Sequence, residues 1–459
     1  MAPDTVGHLV ARRRLLRWLA GTAVLVPVGA LAACRGQTAA VATSATQARA
    51  RTSSAPVPSS TALSTGHASV TLTILDHWTA ANFPAYPALM DIIKTFQEQN
   101  PAIRVKSQQV PNVGEKLQVM IAGGIPPDVS EMEPALYGPM AAKGAVLNLR
   151  SFIQQDKTFD LSDFWPARIQ TVTWRGGIYA VPMDNDVTAI YYNRELFTAA
   201  GLQPPAVSWR WEEEWLQAAR RLTKGQGATS QFGTVLPPWN VLVWADGGHI
   251  LNRARTACQL DQSGAAKALQ FLEDLQYRYR VAPRPADLAS RSAQLLFESG
   301  RVGLYYSGPF YAGNMAFRKV ELPWDVAPMP QGPAGAKTQL GGSSLGLITA
   351  ARHHADAWEF VRYFTSTASL RSMTRYVSWL FARKSAASAI NAHLIKPAQM
   401  QVFIQAMDYA RGLPIVPQYA QMLTAIGNEL DLLNEDKATG QQVGQEIVRR
   451  VDALLQQPS

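Results

Sequence analysis

Cysteine is nearly absent from this sequence. Cys34 and Cys258 are the only two cysteines among 459 residues, which excludes a disulfide framework and a cysteine-rich zinc site. Cys258 stands between Ala257 and Gln259 and is predicted to be a small buried side chain. The fold must therefore be held together by an ordinary hydrophobic core.

The motifs of common enzyme chemistry are also missing. The sequence has no Gly-x-Ser-x-Gly elbow, no phosphate-binding P-loop and no His-Glu-x-x-His zinc motif. His353 and His354 are adjacent at the start of a predicted helix, where they face different ways. The acidic triplet from Asp184 to Asp186 is too compact for a calcium loop. We therefore predict no catalytic residue, no metal and no other cofactor.

Excess charge of one sign is scarce outside the N-terminal segment. The formal net charge is +9, but six of these charges lie in the first 68 residues, which hold seven arginines against Asp4. Acidic and basic residues are interspersed in the remaining chain. This distribution does not favour a nucleic-acid partner.

The N-terminal segment has the form of an export signal. A stretch with four arginines from Arg12 to Arg17 precedes an apolar run over 18–30, which is too short to span a bilayer. The consecutive arginines fit a twin-arginine signal. Leu31 to Cys34 read Leu-Ala-Ala-Cys and resemble the bacterial lipobox, which implies a signal peptide over 1–33 and lipidation of Cys34. A short membrane anchor is the alternative.

A polar tether is predicted after the lipobox. Residues 34–68 are mostly Ala, Thr, Ser, Gln, Pro and Arg, a composition that cannot bury enough surface to fold. The remaining chain of about 390 residues is long enough for two lobes. No later apolar run could cross a bilayer. The sequence thus predicts a monomer outside the cytoplasm, anchored to the bacterial cell membrane by lipid alone.

Strand and helix patterns alternate at the start of the folded part. Strand-like stretches over 70–75, 103–105 and 128–130 are separated by helical patterns, the first of which has apolar residues spaced by three and four over 89–96. This alternation predicts an α/β sheet with right-handed crossovers. Ligands bind outside the carboxyl ends of such strands. His77, Trp78 and Glu131 should therefore lie at the mouth of a site.

Several further stretches carry a family likeness in their order along the chain. They are Phe96-Gln97-Glu98-Gln99-Asn100-Pro101, Gly123-Gly124-Ile125-Pro126-Pro127-Asp128-Val129, Tyr179-Ala180-Val181-Pro182, Ile190-Tyr191-Tyr192-Asn193, Phe297-Glu298-Ser299-Gly300-Arg301, Tyr306-Ser307-Gly308-Pro309 and Ala357-Trp358-Glu359-Phe360-Val361. Together they resemble the extracellular solute-binding proteins of ATP-driven importers, in particular the carbohydrate-binding group. The resemblance covers residues 70–455.

This resemblance implies an α/β fold of two lobes with central sheets, hinge strands and a ligand cleft between the lobes. The implied crossings lie near 182–188, 325–331 and 380–385. Lobe 1 would comprise 69–184 and 330–380, and lobe 2 would comprise 185–329 and 381–455. The implied partners are a carbohydrate and the transmembrane permease subunits of an ABC importer.

Flat aromatic side chains and a few polar groups are what a sugar site needs, and the chain has twelve tryptophans. Aligned on Pro182 and on Tyr192-Asn193, Asp186 falls where the family has a ligand-contacting acid. Phe310, just after Ser307-Gly308-Pro309, occupies a position where many relatives have a stacking tryptophan. The predicted ligand-binding residues are Trp78, Glu131, Asp184, Asp186, Trp239, Trp244, Ser307, Phe310, Gly342, Trp379 and Tyr419. For the tryptophans the alternative is a core position, and for the acids it is a solvated loop.

Three other functions fit parts of the pattern. Glycerol 3-phosphate or another small solute could be bound by the same mechanism, provided that a basic side chain in the cleft pairs with phosphate. A glycoside-acting enzyme would need two carboxylates at a defined separation, for which Glu131 with Asp184 or Asp186 are candidates. A passive adhesion lipoprotein is the third alternative, and the absence of repeats argues against it.

Overall fold

The computed structural model describes residues 69–79, 84–225, 227–288 and 291–457, and it holds two separate β-sheets of four or more strands. The predicted signal peptide, the lipidated Cys34 and the tether lie outside the described residues. Among the helices that are described, none combines the length and apolarity needed to cross a membrane.

The strands are short and spread over most of the chain. They are β1 (Val70–Asp76), β2 (Ile103–Gln109), β3 (Val129–Met132), β4 (Thr173–Trp174), β5 (Gly177–Ile178), β6 (Val181–Pro182), β7 (Asp186–Val187), β8 (Ala189–Asn193), β9 (Phe232–Thr234), β10 (Val302–Ser307), β11 (Trp324–Ala327), β12 (Gln331–Gly332), β13 (Gly335–Ala336), β14 (Thr338–Gly341), β15 (Ser344–Leu347) and β16 (Ala410–Arg411).

Helices connect these strands and form the C-terminal part. They are α1 (Tyr86–Gln99), α2 (Val113–Ala122), α3 (Pro134–Ala142), α4 (Arg150–Gln155), α5 (Pro166–Gln170), α6 (Arg194–Ala199), α7 (Leu216–Leu222), α8 (Trp239–Ala245), α9 (Ser263–Tyr277), α10 (Pro285–Leu288), α11 (Ala293–Glu298), α12 (Phe310–Phe317), α13 (His354–Phe364), α14 (Thr367–Ser372), α15 (Pro397–Ala406), α16 (Tyr419–Asn434) and α17 (Gly440–Leu455).

The first sheet has the strand order β2-β1-β3-β15-β6. Strand β1 is parallel to both β2 and β3, and β15 is antiparallel to β3 and β6. The predicted succession of strand, helix, strand, helix and strand is confirmed. Helix α1 buries the predicted apolar face, including Leu89 and Phe96, against this sheet and α13.

The third strand is longer than predicted. The prediction ended it at Ser130, but Glu131 and Met132 continue β3 because they pair with Leu345 and Ser344 of β15. These partners lie more than 200 residues away in the chain, so no local pattern marks the extension. Glu131 therefore lies within the sheet rather than after its end.

The second sheet has the order β11-β8-β10-β9. Strand β8 is antiparallel to β10 and β11, and β10 is parallel to β9. Its core includes Tyr191, Trp215 and Phe297, together with apolar residues of α8, α9, α16 and α17.

A small sheet of the order β16-β14-β7 lies where the chain passes between the two cores. Met183 packs in the core of the first sheet and Val187 in that of the second. Leu340 still packs in the second core, whereas Leu345 packs in the first. A third passage follows Ala386. The segment over 331–341 contains β12, β13 and β14, and β14 pairs with two strands that are distant in the chain.

Candidate functional site

A buried carboxylate at the end of β1 fixes the first part of the site. Asp76 is fully buried and accepts hydrogen bonds from the Trp78 backbone N–H (3.0 Å) and from Ser107 Oγ (2.7 Å). Burial raises the pKa of Asp76 to about 6, although both hydrogen bonds oppose this shift. The two bonds set the direction in which the chain leaves β1 and thereby position His77 and Trp78.

His77 and Glu131 form an ion pair across the edge of the sheet. His77 Nδ1 lies 2.6 Å from Glu131 Oε2, which also accepts a bond from the His77 backbone N–H at 3.2 Å. Burial by itself lowers the pKa of His77, but the charge and hydrogen bond of Glu131 outweigh it, so the pKa is raised. Burial likewise raises the pKa of Glu131, yet its donors outweigh this effect and the pKa is lowered. Each side chain therefore favours the charged form of the other.

Ser343 links this pair to the first passage between the cores. Its Oγ donates to Glu131 Oε1 (2.8 Å) and its backbone N–H donates to Asp184 Oδ1 (2.6 Å). Burial raises the pKa of Asp184 to about 6. Gly342 has φ +119°, and a Cβ there would lie 2.6 Å from the Asp184 carbonyl oxygen. Glycine therefore allows the loop before β15 to approach the passage this closely.

The sequence did not reveal Arg168, which the structure places at the centre of this network. Its side chain is completely buried and donates to the carbonyl oxygens of Asp184 and Ser343, both at 2.9 Å, and to the hydroxyls of Ser344 and Thr171. A lone arginine in a short helical segment has no pattern that marks it as buried. We call His77, Glu131, Asp184, Ser343 and Arg168 the passage network.

Asp186 lies on the other side of the passage, beside the loop after β10. Its carboxylate touches Gly308 so closely that a side chain at 308 would collide with Asp186 Oδ1. Gly308 is fixed in turn, because its carbonyl accepts a bond from the Tyr191 hydroxyl at 2.9 Å. Ser307 precedes this contact at the end of β10, and both Asp186 and Ser307 are partly exposed. This geometry brings an acidic and a hydroxyl side chain together at the second sheet.

Phe310 lies between the two cores. It begins α12, is partly buried, and packs against apolar residues of both the first and the second core. An aromatic ring in this position can offer one face to a ligand held between the lobes. It lies two residues after Gly308, and hence close to the Asp186 carboxylate.

The four predicted tryptophans occupy different surroundings. Trp78 is 1% exposed and packs against Phe364 and Trp379, with a centroid separation of 5.6 Å between the two indoles. Trp379 is 6% exposed. Trp239, the first residue of α8, is half-buried against the second core, whereas Trp244 at the other end of α8 lines a separate cavity.

Tyr419 begins α16 and is buried close to Glu133 and Tyr137. Burial, followed by the charge of Glu131, raises the pKa of Glu133. Tyr137 in turn donates to Ser344 Oγ at 2.8 Å. The helix α16 thus meets the first lobe near the end of β3, where its tyrosine adjoins the passage network.

The site offers acceptors and aromatic faces rather than a metal centre. In the described ranges, no group of three or more His, Cys, Asp or Glu side chains is arranged to hold a metal ion. Glu131 and Asp184 accept bonds from protein donors, while Asp186 is partly exposed beside Phe310. In such an arrangement, carboxylates can accept hydrogen bonds from the hydroxyl groups of a ligand, and the ring of Phe310 can stack against an apolar face of the ligand.

Comparison with known proteins agrees with this architecture. The profile of the family described as bacterial extracellular solute-binding protein matches residues 80–370. A binding protein of Brucella abortus is 22% identical over 378 residues, which cover 80% of this chain and 90% of that protein.

Two solved structures are similar over most of their length. An ABC substrate-binding protein of Listeria monocytogenes in complex with cycloalternan has a TM-score of 0.73 at 22% identity, covering 84% of this chain and 99% of that one. A solute-binding protein of Thermotoga lettingae bound with α-D-tagatose has a TM-score of 0.71 at 22% identity, with coverages of 84% and 100%. The predicted two-lobe α/β fold is thereby confirmed.

Proposed function

The chain belongs to the bacterial extracellular solute-binding proteins, and on this premise we propose that it captures a carbohydrate, a mono- or oligosaccharide, between its two lobes. The observation that carries the proposal is the contact of Asp186 with Gly308, two residues before Phe310, which packs against both cores. A carboxylate accepts sugar hydroxyls, and an aromatic ring stacks on the C–H face of a sugar. The sugar-bound relatives from Listeria and Thermotoga support this choice of ligand.

We propose direct contacts from the partly exposed residues Asp186, Ser307, Phe310 and Trp239. The buried residues form the floor and walls beneath them. These are Trp78, Glu131, Asp184, Trp379 and Tyr419, and the partly exposed Gly342 adds its backbone to them. Trp244 faces a different cavity and is left out of the proposed carbohydrate contacts.

The proposed mechanism is capture without chemistry. A ligand that contacts both lobes binds their closed arrangement better than their open one, so it shifts the population toward closure. The closed form would then deliver the sugar to the permease subunits of an ABC importer. A monomer tethered outside the cell membrane through lipidated Cys34 would remain beside that permease. Replacement of Arg12 and Arg13 by lysine tests the proposed signal. The replacement should stop export if the chain uses the twin-arginine route, and it should leave export unchanged if the chain uses the general secretory route.

A glycoside-acting enzyme is not favoured by the site. Glu131 is held by His77 and Ser343, and Asp184 by Ser343, so neither carboxylate is placed beside open space as a general acid or base would be. Incubation of the chain with labelled oligosaccharides checks this point: release of shorter sugars at a rate proportional to protein concentration would favour the enzyme.

Isothermal titration with a panel of mono- and oligosaccharides tests the carbohydrate proposal directly. The full chain should be kept in a polyoxyethylene detergent, because many detergents carry sugar headgroups that would compete. We expect one saturable 1:1 interaction with at least one sugar. A panel without any saturable response would contradict the proposal.

Alanine variants then separate contact from folding. Trp239→Ala should weaken sugar binding at least tenfold, since a lost stacking contact of about 1.4 kcal/mol has that effect. Trp174→Ala is the matched control, because Trp174 is equally half-buried but lies on the β4–β5 hairpin, against Tyr179. Equal losses in the two variants would remove Trp239 from the site.

A further inference from the structure

The cavity that Trp244 lines has a volume of about 340 Å³ and is bordered by three arginines and a histidine. His249, Arg253 and Arg255 come from the segment after α8, and Arg411 comes from β16. Trp244 at the end of α8 supplies an aromatic wall. The volume falls within the usual range for small-molecule sites.

The cations of this cavity are not balanced by acids. None of the residues that line it is aspartate or glutamate. In the part of the chain that the structure describes, Arg253 and Arg411 have no ion pair, and the side chain of Arg255 donates only to the Ile415 carbonyl, at 2.9 Å. Several positive groups around one concave surface create a local positive potential that attracts anions.

A hydrogen-bonded turn carries two of the arginines, whose side chains are exposed. Leu251 pairs with Cys258, and between them the Asn252 side chain accepts bonds from the Thr256 and Ala257 backbone N–H groups. Arg255 adopts φ +58°, a left-handed conformation that is unfavourable for a residue with a side chain. The hydrogen bonds of the turn compensate for this strain.

The cavity is separate from the proposed carbohydrate site but connected to it. No member of the passage network lines the cavity, nor do Asp186, Ser307 or Phe310. Thr171, which does line it, accepts a hydrogen bond from Arg168, and Arg168 binds the Asp184 carbonyl. An occupant of the cavity would therefore touch a residue that is bonded directly to the passage network.

We propose that this cavity binds the phosphate monoester group of a small solute. The planar guanidinium groups of Arg253, Arg255 and Arg411 match the oxygens of a dianionic phosphate, with which arginine forms paired hydrogen bonds. The wall made by Trp244, Leu413 and Pro414 would contact the carbon part of the solute. The inference goes beyond sugar capture and does not depend on it.

Isothermal titration of the full chain at pH 7.5 and low ionic strength tests the proposal, in a detergent without phosphate or sugar. Glycerol 3-phosphate and inorganic phosphate should each bind once, with a Kd below about 1 mM. Dihexanoyl phosphatidylglycerol, a soluble phosphodiester, should bind at least tenfold more weakly. Absence of saturable phosphate binding, or tighter binding of the phosphodiester than of glycerol 3-phosphate, would overturn the proposal, the latter in favour of a lipid headgroup.

The double variant Arg253→Gln/Arg411→Gln should weaken binding of glycerol 3-phosphate at least tenfold. Arg104→Gln/Arg194→Gln is the matched control, because it removes two exposed arginines from β2 and the start of α6. If both double variants weakened the binding of glycerol 3-phosphate equally, the anion would be attracted by the overall positive charge, and the proposed site would be wrong. If a saturating sugar abolished phosphate binding, the claim that the cavity is separate from the carbohydrate site would be wrong.

Discussion

Asp76 and Asp184 are carboxyl groups that burial holds partly protonated in mild acid. The folded pKa of each is raised from 3.8 to about 6, so the folded state binds protons more tightly than the unfolded state. Each group therefore contributes stability that is present below pH 3.8 and is lost as the pH rises to about 6. Between pH 5 and pH 7 this loss is about 1 kcal/mol per group.

Replacement of one of these carboxyl groups by an amide should flatten the pH dependence of stability. In Asp184→Asn, Oδ1 can still accept from the Ser343 N–H, so the fold is kept while the titration is removed. From pH 5 to pH 7, we expect the unfolding free energy of this variant to decrease by about 1 kcal/mol less than that of the natural chain. Urea denaturation at several pH values measures it. The exposed control Asp261→Asn should keep the slope of the natural chain, and an unchanged slope in Asp184→Asn would contradict the argument.

Arg168 is the residue on which most bonds of the passage network converge. Arg168→Lys keeps the charge but cannot reach two carbonyls and two hydroxyls at once, because an ammonium is a compact point donor. Buried acceptors that lose their donor each cost about 1–3 kcal/mol. We therefore expect the unfolding free energy in urea to fall by at least about 2 kcal/mol. Arg104→Lys, at an exposed position of β2, should change it by less than about 0.5 kcal/mol.

Two glycines with different surroundings allow a test of how closely the loop before β15 approaches the passage. Gly342 precedes β15 with φ +119°, and a Cβ there would meet the Asp184 carbonyl and carboxyl oxygens at 2.6 and 2.8 Å. Gly427 lies inside α16 with no atom within 4 Å of a Cβ. Gly342→Ala should lower the unfolding free energy by about 1–3 kcal/mol, whereas Gly427→Ala should raise it by about 0.5–1 kcal/mol. A stabilising Gly342→Ala would show that this loop can move away from the passage.

Helices and strands with a local sequence pattern could be predicted from the sequence. Strands that form only because they pair with strands far away in the chain could not. The apolar spacing of α1 and the β-branched run of β1 mark both elements in the sequence. The extension of β3 through Glu131 depends on β15, and β14 depends on β7 and β16, so neither has a local signal. Glu131 and Asp184 were predicted as ligand-binding residues because acids stand out near strand ends, and the structure shows both bonded to Ser343. Arg168 was missed because its burial depends on the 343–344 loop.

Because the molecule has a separate core in each lobe, the unfolding of the two cores can show whether a ligand contacts both lobes. One core packs against the first sheet and includes Trp78, the other packs against the second sheet and includes Tyr191, and Phe310 packs against both. A ligand present at 100 times its Kd stabilises the structure to which it binds by about 2.7 kcal/mol. If the sugar contacts both lobes, neither core can unfold without losing this stabilisation.

Differential scanning calorimetry of the full chain should therefore show that a bound sugar raises the unfolding temperatures of both cores together. A sugar that gives no heat in the titration, used at the same concentration, is the control, because sugars also stabilise proteins weakly by exclusion from the surface. Phe310→Ala should reduce the shared shift, since it removes the ring that packs against both cores. If the sugar shifted one transition and left the other in place, the ligand would be bound by a single lobe, and closure driven by bridging contacts would be wrong.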